Sequence, residues 1–209
     1  DALRLYILFM APPSDGVEWN DGGIEGTKRF LNKFWENIEK LTNLNEIDDS
    51  NNEKSIVRKV NQSINSVTKH LDKFEFNTAV SDLMKLNNDL SEFLNNSNEI
   101  SKSSKELIIK NICILLFPMA PHIASEVYEN YFSEDLIKIS WPEVDIENLK
   151  DPTYELVIQV NGKKRFTRET DIGLEQDEIE QICKEEFNMN INDFKKIIYV
   201  QDKIVNFVG

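Results

Sequence analysis

Along residues 1–142 the apolar positions recur three and four apart, the spacing that gathers side chains on one helical face. Residues 1–10 read as the tail of a helix stopped by Pro12 and Pro13, and a Gly- and Pro-rich loop follows. From Thr27, Phe30, Leu31, Phe34, Trp35, Ile38 and Leu41 predict a long amphipathic helix, with Trp35 expected as a core anchor. The Asn/Asp/Glu-rich stretch 43–55 reads as a loop. Ile56, Val57, Val60, Ile64, Val67 and Leu71 predict a second helix, and Ala79, Val80, Leu83, Met84, Leu90 and Leu94 a third, capped by Asn77 or Thr78. After a polar loop at 95–104, residues 107–117 are apolar on nearly all sides, as a central buried helix would be, with Phe117 as a second expected anchor. Pro118 ends that helix, and Pro121 opens another that turns Ile123, Ala124, Val127, Tyr128 and Tyr131 inward. Short connections between such helices predict an antiparallel bundle.

The period changes beyond Trp141-Pro142. Residues 143–152 form an acidic, Pro-containing linker, and then Tyr154, Leu156, Ile158 and Val160 alternate as a strand does. Asn161-Gly162 is a strong hairpin signal, so residues 163–170 are the return strand. A two-residue turn with regular pairing sets Arg165 beside Ile158 and Phe166 beside Val157. A helix from Glu175 to Phe187 and two β-rich runs, 196–200 and 203–208, complete a small α+β domain. The expected organisation is mainly α: a helical domain over 1–142, with 1–26 a tail and loop from a preceding core, a linker, and an α+β domain over 153–209.

Charge sharpens one point. The 209 residues carry 24 Lys+Arg against 37 Asp+Glu, a net charge of -13. Yet Lys163, Lys164, Arg165 and Arg168 fall together just after the Asn-Gly turn. A solvated turn accounts for such a run, and so does a phosphate-binding tip, because nucleic-acid affinity needs cations placed locally.

Other chemistry is sparse. Cys113 and Cys183 lie on separate apolar stretches outside any paired ligand motif, so neither zinc nor another metal is expected, and a reducing compartment fits. The longest apolar run, 112–117, is far too short for a bilayer. His70 sits on a polar helix face, and His122 suits a capping or packing role beside Pro121. SKSSKEL, 101–107, lacks the glycines of a phosphate loop and reads as a helix cap. No catalytic constellation emerges.

Four stretches, in order, resemble one family. LRLYILFMAPPSDGVEWNDGGIEGTKRFLNKFW is similar to the segment that follows the nucleotide-binding lysine loop of bacterial-type leucyl-tRNA synthetases. VTKHLDKFEFNTAVSDLMKLNNDL resembles their FNTAI-x-x-LM helix, and ILLFPMAPHIASEVYE their LAPFAPHIAEELWE helix. ELVIQVNGKKR resembles the QVNGK-x-R hairpin that opens their C-terminal domain. The first three motifs recur loosely in the valine and isoleucine enzymes, whereas the Trp-Pro linker into QVNGKKR is leucine-specific. Two positions depart from the pattern: Gln201-Asp202 stands for Pro-Gly, and Phe166 for a common Gly.

The resemblance implies a helical anticodon-binding-type domain and a C-terminal tRNA-binding domain. The catalytic and editing domains would lie upstream of Asp1, and ATP and magnesium would belong to that core, leaving no cofactor here. It implies tRNA(Leu) and the remaining domains of the parent as partners, a cytoplasmic setting, and neither membrane nor DNA. Lys163, Lys164, Arg165 and Arg168 are then candidate tRNA contacts, with Lys28, Arg29 and Lys33 at the start of the first long helix as a second set. An acidic helical module that docks a partner protein is the competing reading, and the corresponding region of a valine- or isoleucine-type enzyme a further one.

Overall fold

Phe30, Leu31, Phe34, Ile38 and Leu41 are buried along one face of helix α2 (Gly23–Thr42), as the stripe requires. The computed structural model describes residues 1–20, 22–48, 53–146, 149, 153–187, 189, 191 and 194–209. They fall into two units, Asp1–Leu149 and Lys150–Gly209, each with its own core.

In the first unit, α1 (Ala2–Met10), α2, α3 (Glu53–Asp72), α4 (Phe76–Asn96), α5 (Lys102–Leu116) and α6 (Pro121–Phe132) make the bundle. Helix α2 begins four residues earlier than Thr27, and two features allow it. Any side chain at Gly23 would run into the ring of Tyr6 on α1, and Thr27 Oγ1 donates to the carbonyl of Ala2, 2.9 Å away. Two stretches that read as loops pair instead as short parallel strands, β1 (Asn45–Ile47) and β2 (Glu99–Ser101). Helix α5 is central as expected, with Ile112 through Leu116 all buried.

Lys105 is the unexpected member of that core. Its Nζ donates to the carbonyls of Thr42 and Leu44 at 3.2 and 3.0 Å and meets Glu46 at 3.1 Å. The ammonium thus satisfies the last carbonyl of α2 and that of Leu44 just beyond the helix, where the helix dipole also favours a cation. On the other side of β2, buried Glu53 accepts from the Ser101 amide at 2.7 Å, Ser101 Oγ at 2.6 Å and Ser104 Oγ at 2.7 Å. Burial works to raise the Glu53 carboxyl, but these hydrogen bonds outweigh it and hold the group below its usual range. Ser101 also caps α5 by accepting from the Ser104 amide at 3.2 Å, so 101–107 is a helix start.

Several expectations need correction. Trp35 is 37% exposed, its indole donating to Glu39 at 2.9 Å. It follows Phe34 directly, and one residue turns it about 100° off the apolar stripe. Phe117 caps the end of α5 and is only half-buried. Neither Asn77 nor Thr78 caps α4, which starts at Phe76 without a side-chain cap. The α3–α4 turn closes by backbone instead: the Glu75 amide donates to His70 and the Phe74 amide to Leu71, at 2.8 and 3.0 Å. This paired closure places Phe74 in the left-handed region, φ 59°, where glycine is usual. His70 clasps the turn, with Nδ1 2.7 Å from Glu75 and Nε2 3.4 Å from Asp82. His122 meets Asp1 at 2.9 Å, and the same Asp1 carboxylate accepts the Ile123 amide near the start of α6.

The stretch expected as a linker, 143–152, is partly attached to the bundle. Trp141 Nε1 donates to Thr68 on α3 at 2.8 Å, Val144 packs on the core, and the Asp145 amide donates to Asn61 at 2.8 Å. Residues 147, 148 and 150–152 lie outside the described set.

The second unit is a four-stranded sheet backed by one helix. Its strands are β3 (Thr153–Val160), β4 (Lys163–Asp171), β5 (Lys196–Val200) and β6 (Ile204–Val208), in the order β4-β3-β6-β5, with β3 parallel to β6. Leu156, Ile158, Val205 and Phe207 point to one face, where Ile179 and Cys183 of α7 (Gln176–Phe187) cover them. Among the described residues, no helix is long and apolar enough to cross a membrane.

Candidate nucleic-acid interface

The hairpin tip is built on Asn161 and Gly162, both with positive φ, at 50° and 75°. A two-residue turn whose twist matches the strands needs that conformation at both positions, and Asn-Gly adopts it at least cost. Strand β6 then holds the turn from the side. The Asn161 amide donates to the Phe207 carbonyl at 2.8 Å, and the Gly162 amide to Asn206 Oδ1 at 3.0 Å. The Gly209 amide donates to Asn161 Oδ1 at 2.9 Å. The tip is therefore fixed before any ligand arrives.

Beyond the turn, Val160 pairs with Lys163 and Gln159 with Lys164, but Ile158 pairs with Phe166. Arg165 is an extra residue, a β-bulge, so the expected register is wrong from Ile158 onward. The bulge reverses which face each later residue takes. Phe166 and Arg168 now sit opposite Ile158 and Leu156, on the face covered by α7. A regular ladder would have put them on the other side.

The cations consequently divide. Lys163, Lys164 and Arg165 are exposed, and among the described residues no acidic group pairs with them. Arg168 is half-buried, its Nη2 2.7 Å from Glu186 on α7. It ties β4 to the helix that covers the sheet, and its charge is already met. Its second terminal nitrogen, Nη1, is buried without a hydrogen-bond partner. Nearby, burial pushes the Cys183 thiol up to about 11 despite the lowering pull of Arg168, so the group is a neutral packing element.

In the first unit, Lys28, Arg29 and Lys33 are exposed on α2, and Lys33 Nζ donates to Asn88 on α4 at 2.8 Å. Among the described residues, no group of three or more His, Cys, Asp or Glu is placed to hold a metal ion. Sequence reasoning missed a further component of the tip. Phe166 stacks on Phe187 at the end of α7, ring centroids 4.5 Å apart and planes 26° apart. An aromatic residue among cations on the return strand was the available signal, but only the bulge tells which face it takes.

The chain is a helical bundle followed by a strand-rich unit that carries a cationic hairpin, and comparison with known proteins gives its family. The family described as the anticodon-binding domain of tRNA ligase matches residues 53–183, and the chain belongs to that family. It is 40% identical to a leucine–tRNA ligase of Petrotoga mobilis, over all of this chain and 27% of that protein. It is 37% identical to one of Prochlorococcus marinus strain MIT 9301, again over all of this chain and 25% of the relative. The chain thus spans about a quarter of the length of the curated relatives it matches. A solved ternary complex of Agrobacterium radiobacter K84 AgnB2 LeuRS with tRNA and LeuAMS has the same fold, with a TM-score of 0.72 and 24% identity, over 99% of this chain and 28% of that one.

Proposed function

We propose that this chain is the tRNA-binding portion of a cytoplasmic leucine–tRNA ligase. The parent enzyme joins leucine to tRNA(Leu) with ATP and magnesium, in domains other than the two units described here. The observation that carries the reading is the pinned hairpin tip, which projects three cations with no acidic partner among the described residues, from a chain of net charge -13. Leucine–tRNA ligases among its relatives support the choice of partner. Cations leaving the tip in different directions suit the phosphates of a folded RNA better than the edges of its bases. The benefit to catalysis is positional, since a held tRNA presents its acceptor end to the adenylate as a bound reactant. Lys28 and Arg29, with Lys33 beside Asn88, offer a second contact of the same kind.

The test titrates salt against the affinity of the chain for a tRNA(Leu) transcript. Removing one cation from a phosphate should reduce the slope of log affinity against log salt by about 1, so replacing Lys163, Lys164 and Arg165 together by alanine should reduce it by about 3. The corresponding α2 variant, with Lys28, Arg29 and Lys33 replaced, should lower the slope as well. Arg168→Ala should leave the slope unchanged. Parallel curves for wild type and the tip variant would remove the hairpin from the interface. Salt-insensitive binding, or equal affinity for duplex DNA, would favour the protein-docking alternative.

A further inference from the structure

Phe166 is 40% exposed, although β4 places it on the face that α7 covers. One face of its ring rests on Phe187, which itself packs against the core of the second unit. The residue keeps this exposure on a strand that, among the described residues, has no neighbour beyond it. Its two preceding residues, Lys164 and Arg165, are exposed cations with no acidic partner among the described residues. An aromatic ring backed by a second ring and flanked by cations is the arrangement by which proteins hold unpaired bases, the ring meeting the base and the cations meeting the adjoining phosphates.

We propose that Phe166 is a stacking site for a nucleobase of RNA that is free of its own helix, with Phe187 as its backing and Lys164 and Arg165 on the flanking phosphates. The proposal rests on the tRNA-binding reading and adds to it a contact with a base. The bulge at Arg165 is what builds the site. Without it, Arg165 would face α7 beside Ile158, and Phe166 would lie on the far side of the sheet, away from Phe187. The Arg168–Glu186 pair holds the end of α7 so that Phe187 stays under the ring.

Stacking and charge are separable because only charge depends on salt. Phe166→Leu keeps an apolar side chain against Phe187 but removes the π face, whereas Phe166→Tyr keeps both. With a tRNA(Leu) transcript, Phe166→Leu should bind about tenfold more weakly, within the range for one base–aromatic stack, while the salt slope is unchanged. Phe166→Tyr should bind like wild type, and the thermal unfolding of all three proteins should agree within a few degrees. In Phe166→Trp, short oligoadenylate should quench the added fluorescence, whereas inorganic polyphosphate should not. Wild-type affinity in Phe166→Leu, or equal quenching by polyphosphate, would overturn the stacking site while leaving the cationic contact in place. A wild-type chain that shows no salt-dependent tRNA binding would overturn both.

Discussion

Replacing Phe34 by alanine is expected to destabilise the helical unit by about 3–5 kcal/mol, whereas Trp35→Ala should cost less than about 1 kcal/mol. The two aromatics are adjacent in sequence, but Phe34 is 1% exposed and Trp35 is 37% exposed. Phe34 packs in the core that Leu5 of α1, Val80 and Leu83 of α4 and Ile109 of α5 also share, so its removal leaves a cavity bounded by several helices. Removing Trp35 gives up mainly surface packing and one hydrogen bond to Glu39. Phe117→Ala should fall between the two, because Phe117 is half-buried at a helix end. Urea unfolding followed by far-UV circular dichroism ranks the three, and a larger loss at Trp35 than at Phe34 would contradict this packing.

Glu53→Ala should have the next largest effect, about 3 kcal/mol, since it removes the shared acceptor of the Ser101 amide and the Ser101 and Ser104 hydroxyls. The effect also has a definite pH dependence. The carboxyl of the folded chain titrates below its ordinary value of 4.5, despite the opposing effect of burial, because these three donors favour the ionised form. On acidification the unfolded chain therefore takes up this proton first. The stabilisation is complete above about pH 4.5 and is lost as pH falls through the folded value. Glu53→Gln cannot titrate, so the stability gap between wild type and this variant should be constant near neutrality and narrow in acid. Unfolding midpoints measured from pH 7 down to pH 3 decide it, and a constant gap throughout would remove Glu53 from this role.

The bundle was legible because its information is periodic. Stripes such as Ile56, Val60, Ile64 and Val67 need only the helix repeat to assign a buried face. The Asn-Gly turn was equally plain, since few other dipeptides accept two positive φ values. What could not be read depended on partners distant in sequence. Residues 45–47 and 99–101 carry no strand pattern of their own, and they pair only because the bundle brings them side by side. The buried place of Lys105 depends on where α2 ends. At the candidate site, the cluster of cations was visible, but its division was not. One extra residue in β4 decides that Arg168 meets Glu186 and Phe166 meets Phe187, and a bulge leaves no mark in the local alternation of polar and apolar residues.

The two rims of the small sheet are unlike, and this bears on its solubility. Strand β4 forms one rim, where the bulge and the exposed Lys163, Lys164 and Arg165 obstruct any chain that would add to its free amides and carbonyls. Strand β5 forms the other, with the sequence Lys-Ile-Ile-Tyr-Val and with Ile198 and Val200 exposed at 42% and 45%. Within the strand itself Lys196 is the one charged residue. Self-association of this unit, in a concentrated solution or a partly opened state, would accordingly begin at β5, and a charge at Ile198 is the substitution that would block it.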